Sequence, residues 1–242
     1  MNREYHHWHS PHLGREMELL VFGHAGARVL VFPTRDGRFF DYENWRMVDA
    51  LRDKINAGCL QLYCLDSIDR ESLYADWMVP ADRMKRHADY ENYVLREVAP
   101  FSAARNPDIT LIAHGCSLGA YHAMNITLRH PDRFGKVVAL SGRYDLTESV
   151  GSFRGLFDGH YDDAVYFNNP SHFLPGLCDA AILERLRRVE IVFAIGAEDA
   201  FVGNNRALSD TMTAKGMPHR FEVWEGEAHR PRAWREMVRL YL

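Results

Sequence analysis

Two apolar patterns alternate along this chain. Short unbroken apolar runs read as buried strands, and segments with apolar positions three and four residues apart read as amphipathic helices. The beginning departs from that rhythm. Tyr5 to His9, Arg15 to Phe22 and Arg28 to Phe32 predict three strands with no helix between them, the first two joined around Pro11 to Gly14. Helix-free strands of this kind predict an antiparallel start. Alternation follows: a helix near Asn44 to Ile55, a strand over Leu60 to Leu65, and a long helix near Pro80 to Ala99. An apolar strand from Ile109 then runs into Gly115, with a helix over Ala120 to Arg129 and a strand over Lys136 to Ser141 behind it. The last third predicts helix Asp179 to Arg187, strand Glu190 to Ile195, helix Asn204 to Lys215, strand Arg220 to Trp224 and helix Pro231 to Tyr241. The expected architecture is α/β: a mostly parallel central sheet with antiparallel N-terminal strands and helices on both faces.

One segment fits neither pattern. Gly142 to Gly176 is rich in Gly, Asp, Asn, aromatics and Pro and has no period. An irregular stretch that long inside a compact fold is expected to be a functional excursion, a lid or a pocket wall. No repeat, low-complexity run or linker divides the sequence, so residues 1–242 are expected to form a single domain.

Composition narrows the partners. A net charge of -4 and the lack of a basic stripe argue against nucleic acid. The polar N-terminus lacks the apolar core of a signal peptide, and no run of apolar residues is long enough to span a bilayer, so a cytoplasmic protein away from membranes is expected. Cys59, Cys64, Cys116 and Cys178 show neither Cys-x-x-Cys pairing nor a secreted framework and read as reduced thiols. His6, His7, His9 and His12 invite a metal reading, and His7 and His9 would share one strand face. No carboxylate or thiol cluster completes a ligand set, so no metal is expected.

The sharpest chemical signal is Gly115-Cys116-Ser117-Leu118-Gly119, placed between the apolar strand and the following helix. That is the Gly-x-Ser-x-Gly elbow in its required strand–turn–helix context. The glycines keep side chains out of a turn tight enough to lift the serine to the top of the sheet, over a helix N-terminus that favours negative charge. A serine hydroxyl needs a base, and the base needs an orienting carboxylate, both after strand ends on the same side of the sheet. Asp199 follows the strand Ile191–Ile195, and His229 follows the last strand, in the chain order serine, acid, histidine. Glu198, Asp145 and Glu227 stand as substitutes for Asp199. His114 precedes the elbow on the strand and is expected to be a packed, hydrogen-bonded residue. For the oxyanion, Leu118 N–H is one expected donor. The loop Pro33-Thr34-Arg35-Asp36-Gly37 offers the other, and since Pro33 has no N–H, Arg35 or Asp36 is the candidate. Phe39, Phe40, Tyr42, Tyr161, Tyr166 and Phe167 fall near the same loop end and could line an acyl or aromatic pocket, the alternative being that half of them only pack the lid.

These features together resemble the putative-esterase family of α/β hydrolases, which includes esterase D (S-formylglutathione hydrolase), feruloyl and enterobactin esterases and the mycolyltransferases. The resemblance spans nearly the whole chain: the helix-free strand opening, the elbow leading to His130-Pro131-Asp132-Arg133-Phe134, Ser141-Gly142 after the next strand, Gly196-Ala197-Glu198-Asp199, and His229 before a terminal helix. It implies an α/β-hydrolase fold and a triad of Ser117, Asp199 and His229, without cofactor. The departure is the oxyanion loop, where family members often carry glycine and this chain has Pro33-Thr34-Arg35-Asp36. The expected activity is hydrolysis of a small-molecule carboxylic ester through an acyl-enzyme. The alternatives are acyl transfer from the same intermediate, or a binding protein that keeps the fold without catalysis. Aromatic-rich surface segments would permit a homo-oligomer.

Overall fold

The computed structural model describes all of residues 1–242. Eight strands form one sheet: β1 (Arg3–Ser10), β2 (Arg15–Phe22), β3 (Ala27–Phe32), β4 (Leu60–Leu65), β5 (Leu111–Cys116), β6 (Lys136–Leu140), β7 (Glu190–Gly196) and β8 (His219–Trp224). Their spatial order is β1-β2-β4-β3-β5-β6-β7-β8. The pairs β1–β2 and β2–β4 are antiparallel and every other pair is parallel. The helix-free opening thus yields antiparallel strands at β1 and β2, as expected, whereas β3 pairs only in parallel. β3 does not pair with β2, because β4 lies between them.

Alternating side chains along each strand feed two separate cores, as the pleat requires. Leu19, Val21, Leu30, Phe32, Tyr63, Ala113, Val137, Ala139 and Phe193 point to one face. Leu20, Phe22, Val29, Val31, Leu62, Ile112, Val138, Leu140 and Ala194 point to the other. The first face is covered by α4 (Pro80–Tyr93), α5 (Ala99–Arg105), α6 (Leu118–Arg129), α9 (Ala180–Leu186) and α10 (Val202–Ala214). The second is covered by three short helices, α1 (Asp41–Asn44), α2 (Met47–Ala50) and α3 (Arg52–Asn56), and by α11 (Pro231–Tyr241). One helix near Asn44 to Ile55 was expected, but Arg46, at φ 60°, breaks it. The long helix after Pro80 also runs further than its periodicity suggests: a π-helical stretch over Val94–Val98 joins α4 to α5, so helical structure continues to Arg105.

The segment after β6 is less irregular than its composition implies. It holds two short helices, α7 (Asp163–Phe167) and α8 (Pro170–Gly176), the first capped by the Asp162 carboxylate accepting from Val165 N–H at 2.9 Å. Leu146, Leu156, Phe157 and Val165 from this excursion pack with Leu73, Met84, Leu118 and Tyr121 as a third, smaller core. A five-residue helix, and a seven-residue one that carries Pro170 and Pro175, leave no apolar period to read.

His114 is fully buried on β5, as its strand position suggests. Its Nδ1 donates to Val138 O at 2.7 Å, and Tyr42 Oη donates to its Nε2 at 3.0 Å. Burial pulls its pKa down to about 4, and burial also takes His87 down to about 3. Between those values and the ordinary histidine value of 6.5, the unfolded chain binds protons that the folded one excludes. Stability must therefore rise with pH through that window and fall on acidification. His114 alone should withdraw about 3 kcal/mol between pH 6.5 and pH 4. Urea unfolding measured from pH 7 downward should show the midpoint dropping across this range, and a flat profile would contradict the assignment.

Candidate active site

The parallel strands end on one edge, and the elbow sits at its centre. β5 turns sharply at Ser117, whose backbone lies at φ 57° and ψ -123°, a region that non-glycine residues avoid. Two features hold it there. Ser117 N–H donates to Leu140 O at 2.8 Å, tying the turn to the end of β6, and α6 packs directly behind. The two glycines permit this closeness. A Cβ on Gly115 would overlap the Gly119 carbonyl, and one on Gly119 would overlap the carbonyls of Phe32 and Pro33. The first turn of α6 therefore lies against the end of β3 and its loop.

Asp199 and His229 arrive from the ends of β7 and β8. A Cβ on Gly196 would collide with the Glu227 carbonyl, so glycine lets the two loops meet. Ala197 N–H donates to Trp224 O at 2.7 Å and Glu198 N–H to Gly226 O at 3.0 Å, stitching the loops together. His229 Nδ1 stands 2.7 Å from Asp199 Oδ2, and its Nε2 stands 3.0 Å from Ser117 Oγ. The carboxylate can only accept, so the ring proton sits on Nδ1 and the Nε2 lone pair faces the serine hydroxyl. The other Asp199 oxygen accepts from Phe201 N–H at 2.9 Å, and the aspartate is only 4% exposed. Of the substitutes, Glu198 and Glu227 are exposed, and Asp145 is engaged with Thr147 and His172.

The two candidates on the β3 loop separate cleanly. Asp36 N–H donates to Asp69 Oδ2 at 2.9 Å and is committed elsewhere, so the expectation for Asp36 is corrected. Arg35 N–H and Leu118 N–H have no partner within the protein, and both residues line the cavity that holds Ser117. Asp69 is buried, and its other oxygen lies 3.3 Å from His122 Nε2 on α6. It thereby fixes the loop relative to the elbow helix.

That cavity encloses about 480 Å³, a volume suited to a small ester. Its aromatic walls are not the expected ones. Trp45, Tyr74, Phe153, Phe201 and Trp234 line it. Phe39 and Tyr42 turn into the core beneath α1, Phe40 packs against that core, and Tyr166 packs against the opposite one. Tyr161 and Phe167 face solvent. Loop position alone does not fix side-chain direction, and these aromatics pack against the cores or face solvent. Two of the missed residues carried a signal in their proximity to the site: Phe201 lies two positions after Asp199, and Trp234 five after His229. Trp234 Nε1 donates to Ser141 Oγ at 3.0 Å, holding the residue after β6 at φ 55° on the cavity wall.

The neighbouring thiol is inert. Cys116 is buried, and burial pushes its pKa far up, so no thiolate competes with Ser117. Among the N-terminal histidines, His6 pairs with Glu4 and His12 with Glu97, while His7 and His9 flank Glu16. No group of three or more His, Cys, Asp or Glu side chains comes together to hold a metal ion. No helix is long and apolar enough to cross a membrane.

Solved structures share this architecture at low identity. A ferulic acid esterase superposes with a TM-score of 0.76 at 16% identity, over 98% of this chain and 95% of its own. S-formylglutathione hydrolase from Staphylococcus aureus gives 0.70 at 15% identity, over 98% and 96%. MPT51 from Mycobacterium tuberculosis gives 0.70 at 14%, over 99% and 96%. These likenesses are of fold. No curated sequence relative matches the chain. The sequence model of the family described as putative esterase, however, matches residues 10–238. The chain therefore belongs to the putative esterase family and is a hydrolase of the carboxylesterase type.

Proposed function

We propose that Ser117 is the nucleophile of this hydrolase, with His229 as general base and Asp199 as the carboxylate that orients it. The carrying observation is the unbroken relay Ser117 Oγ–His229 Nε2 at 3.0 Å and His229 Nδ1–Asp199 Oδ2 at 2.7 Å. Attack of Oγ on the acyl carbon transfers the hydroxyl proton to Nε2. The imidazolium so formed is stabilised by Asp199 and returns the proton to the departing alkoxide. Water then enters, His229 takes its proton, and the acyl-enzyme breaks down to the acid with Ser117 restored. Leu118 and Arg35 amides receive the oxyanion, the first at the N-terminus of a twelve-residue helix whose dipole favours the developing charge. A fluorophosphonate probe should add to the peptide containing Ser117 and to no other. Labelling elsewhere, or none, would refute this reading.

Asp69 acts in this scheme as a positioning residue, because it holds the Arg35–Asp36 turn by accepting from Asp36 N–H. Removing one oxyanion donor outright typically costs a hundredfold or more in kcat. Loosening the loop that carries it, in Asp69→Ala, should lower kcat by roughly tenfold with KM little changed. Asp69→Asn keeps a carbonyl acceptor for Asp36 N–H and should recover most of that loss. Equal loss in both variants, or a change confined to KM, would count against the role.

A further inference from the structure

The chain is acidic overall, yet its active-site mouth is not. Next to the cavity holding Ser117 lies a second of about 430 Å³, and the two share Arg35, Tyr74, Arg143 and Phe153 as a common wall. Four arginines line the pair of cavities against two aspartates. One arginine is accounted for. Arg83 is buried, donates to the carbonyls of Met78 at 2.8 Å and Leu156 at 2.7 Å, and faces both aspartates, Asp158 at 3.3 Å and Asp76 at 3.8 Å.

Arg143 is different. It is 7% exposed and has no carboxylate within ion-pairing distance. Its Nε donates to Asp145 O at 3.0 Å, and its Nη2 donates to the carbonyls of Arg154, at 2.9 Å, and Glu148. Its guanidinium carbon lies 5.3 Å from the centre of the Phe201 ring. Nη1 has no partner in the protein, and the side chain lines both cavities. The nearest acid in sequence is occupied: the Asp145 carboxylate accepts from Thr147 and pairs with His172 at 2.8 Å. A guanidinium hydrogen-bonded to carbonyls and set against the Phe201 ring, with the Asp145 and Glu148 carboxylates beyond ion-pairing distance, stays charged and keeps a donor to spare. Arg35 adds a second unpaired cation, resting over the Tyr74 ring at 5.4 Å on the same wall. A concave site walled by unpaired cations concentrates anions, whatever the net charge of the molecule.

Resting on the serine-esterase reading above, we propose that this site takes esters bearing a negatively charged group, a carboxylate or a phosphate, bound between Arg143 and Arg35. The fork of a guanidinium fits either oxyanion. The bland alternative is that Arg143 is only a strut tying residues 148 and 154 to the frame. A strut would affect charged and neutral esters alike.

The test compares kcat/KM for matched charged and neutral esters, each normalised to its alkaline hydrolysis rate. Mono-p-nitrophenyl succinate against p-nitrophenyl butyrate places the anion on the acyl side. Acetoxybenzoate and acetoxyphenyl phosphate, each against phenyl acetate, place it on the leaving group as carboxylate or phosphate. At least one arm should favour the charged ester by about tenfold or more. Arg143→Gln should reduce that ratio by about tenfold, mainly through KM, and raised salt should reduce it too. Should Arg143→Gln fail to fold, Arg35→Gln at an exposed side chain supplies the same comparison. A ratio of one or less in every arm, or a ratio unmoved in the folded variants, overturns the proposal. Turnover of p-nitrophenyl butyrate and fluorophosphonate labelling of Ser117 report separately on the serine-esterase reading. Their failure would indict that reading and not the arginines.

Discussion

Ser117→Ala should lower kcat for p-nitrophenyl acetate by roughly 10⁵- to 10⁶-fold while the protein stays folded. The loss is that large because, of the hydroxyls lining the cavity, only that of Ser117 is hydrogen-bonded to His229 Nε2. Cys116, one position earlier, is buried with its thiol pKa pushed far above the physiological range. His229 Nε2 would still face the cavity in the variant, but its best alternative is to activate water, and nothing in the relay positions one. A residual rate over solution should persist from the amides of Leu118 and Arg35 and from the cavity itself. Alanine keeps the Cβ and loses only the hydroxyl, so the backbone strain at this position is unchanged and melting temperature serves as the control. Steady-state kinetics with active-site titration checks the result, and turnover within tenfold of the unaltered protein would exclude Ser117 as nucleophile.

Asp199→Asn carries the second largest expected loss, about 10⁴-fold in kcat. The geometry explains why so small a change matters. Asp199 Oδ1 accepts from Phe201 N–H, so an asparagine would place its carbonyl oxygen there and turn its amide toward His229. That amide donates, and His229 Nδ1 would have to accept. The ring proton then moves to Nε2, where it meets the Ser117 hydroxyl as a donor and cannot take a proton. The fluorophosphonate reaction should slow in parallel, because it needs the same deprotonated oxygen. A variant with near-normal kcat would show that another acid orients the histidine.

The elbow was readable because all its determinants are local: a strand's apolar run, two glycines at fixed spacing and a helix directly behind. Asp199 and His229 were readable for a related reason, since each follows an apolar strand and the parallel sheet brings strand ends together. What escaped sequence reading is non-local. The insertion of β4 between β2 and β3 depends on pairing partners that the chain order does not encode. Phe39 and Tyr42 pack into the core at α1 and not the cavity, a choice between two loop directions that the chain order does not encode. Phe153 and Arg143 reach the cavity from the excursion, whose folding depends on a small core shared with α4 and α6. Arg35 and Asp36 could be told apart only when Asp69, more than thirty residues away, was seen to accept from one of them.

Ser117, Asp199 and His229 follow strand ends anchored in the two large cores, whereas Arg143 and Phe153 stand on a segment packed partly on the small third core, which it shares with α4 and α6, and partly, through Tyr144, Phe173 and Leu174, on the first large core. On the proposed mechanism the strand ends carry the reaction while two side chains of this segment shape the cavity wall. Substitutions at Arg143 and Phe153, which line the cavity and belong to none of the three cores, need not disturb the residues that anchor the strand ends. Selection, natural or in the laboratory, could retune the preferred ester through this segment while the relay among Ser117, His229 and Asp199 stays in register.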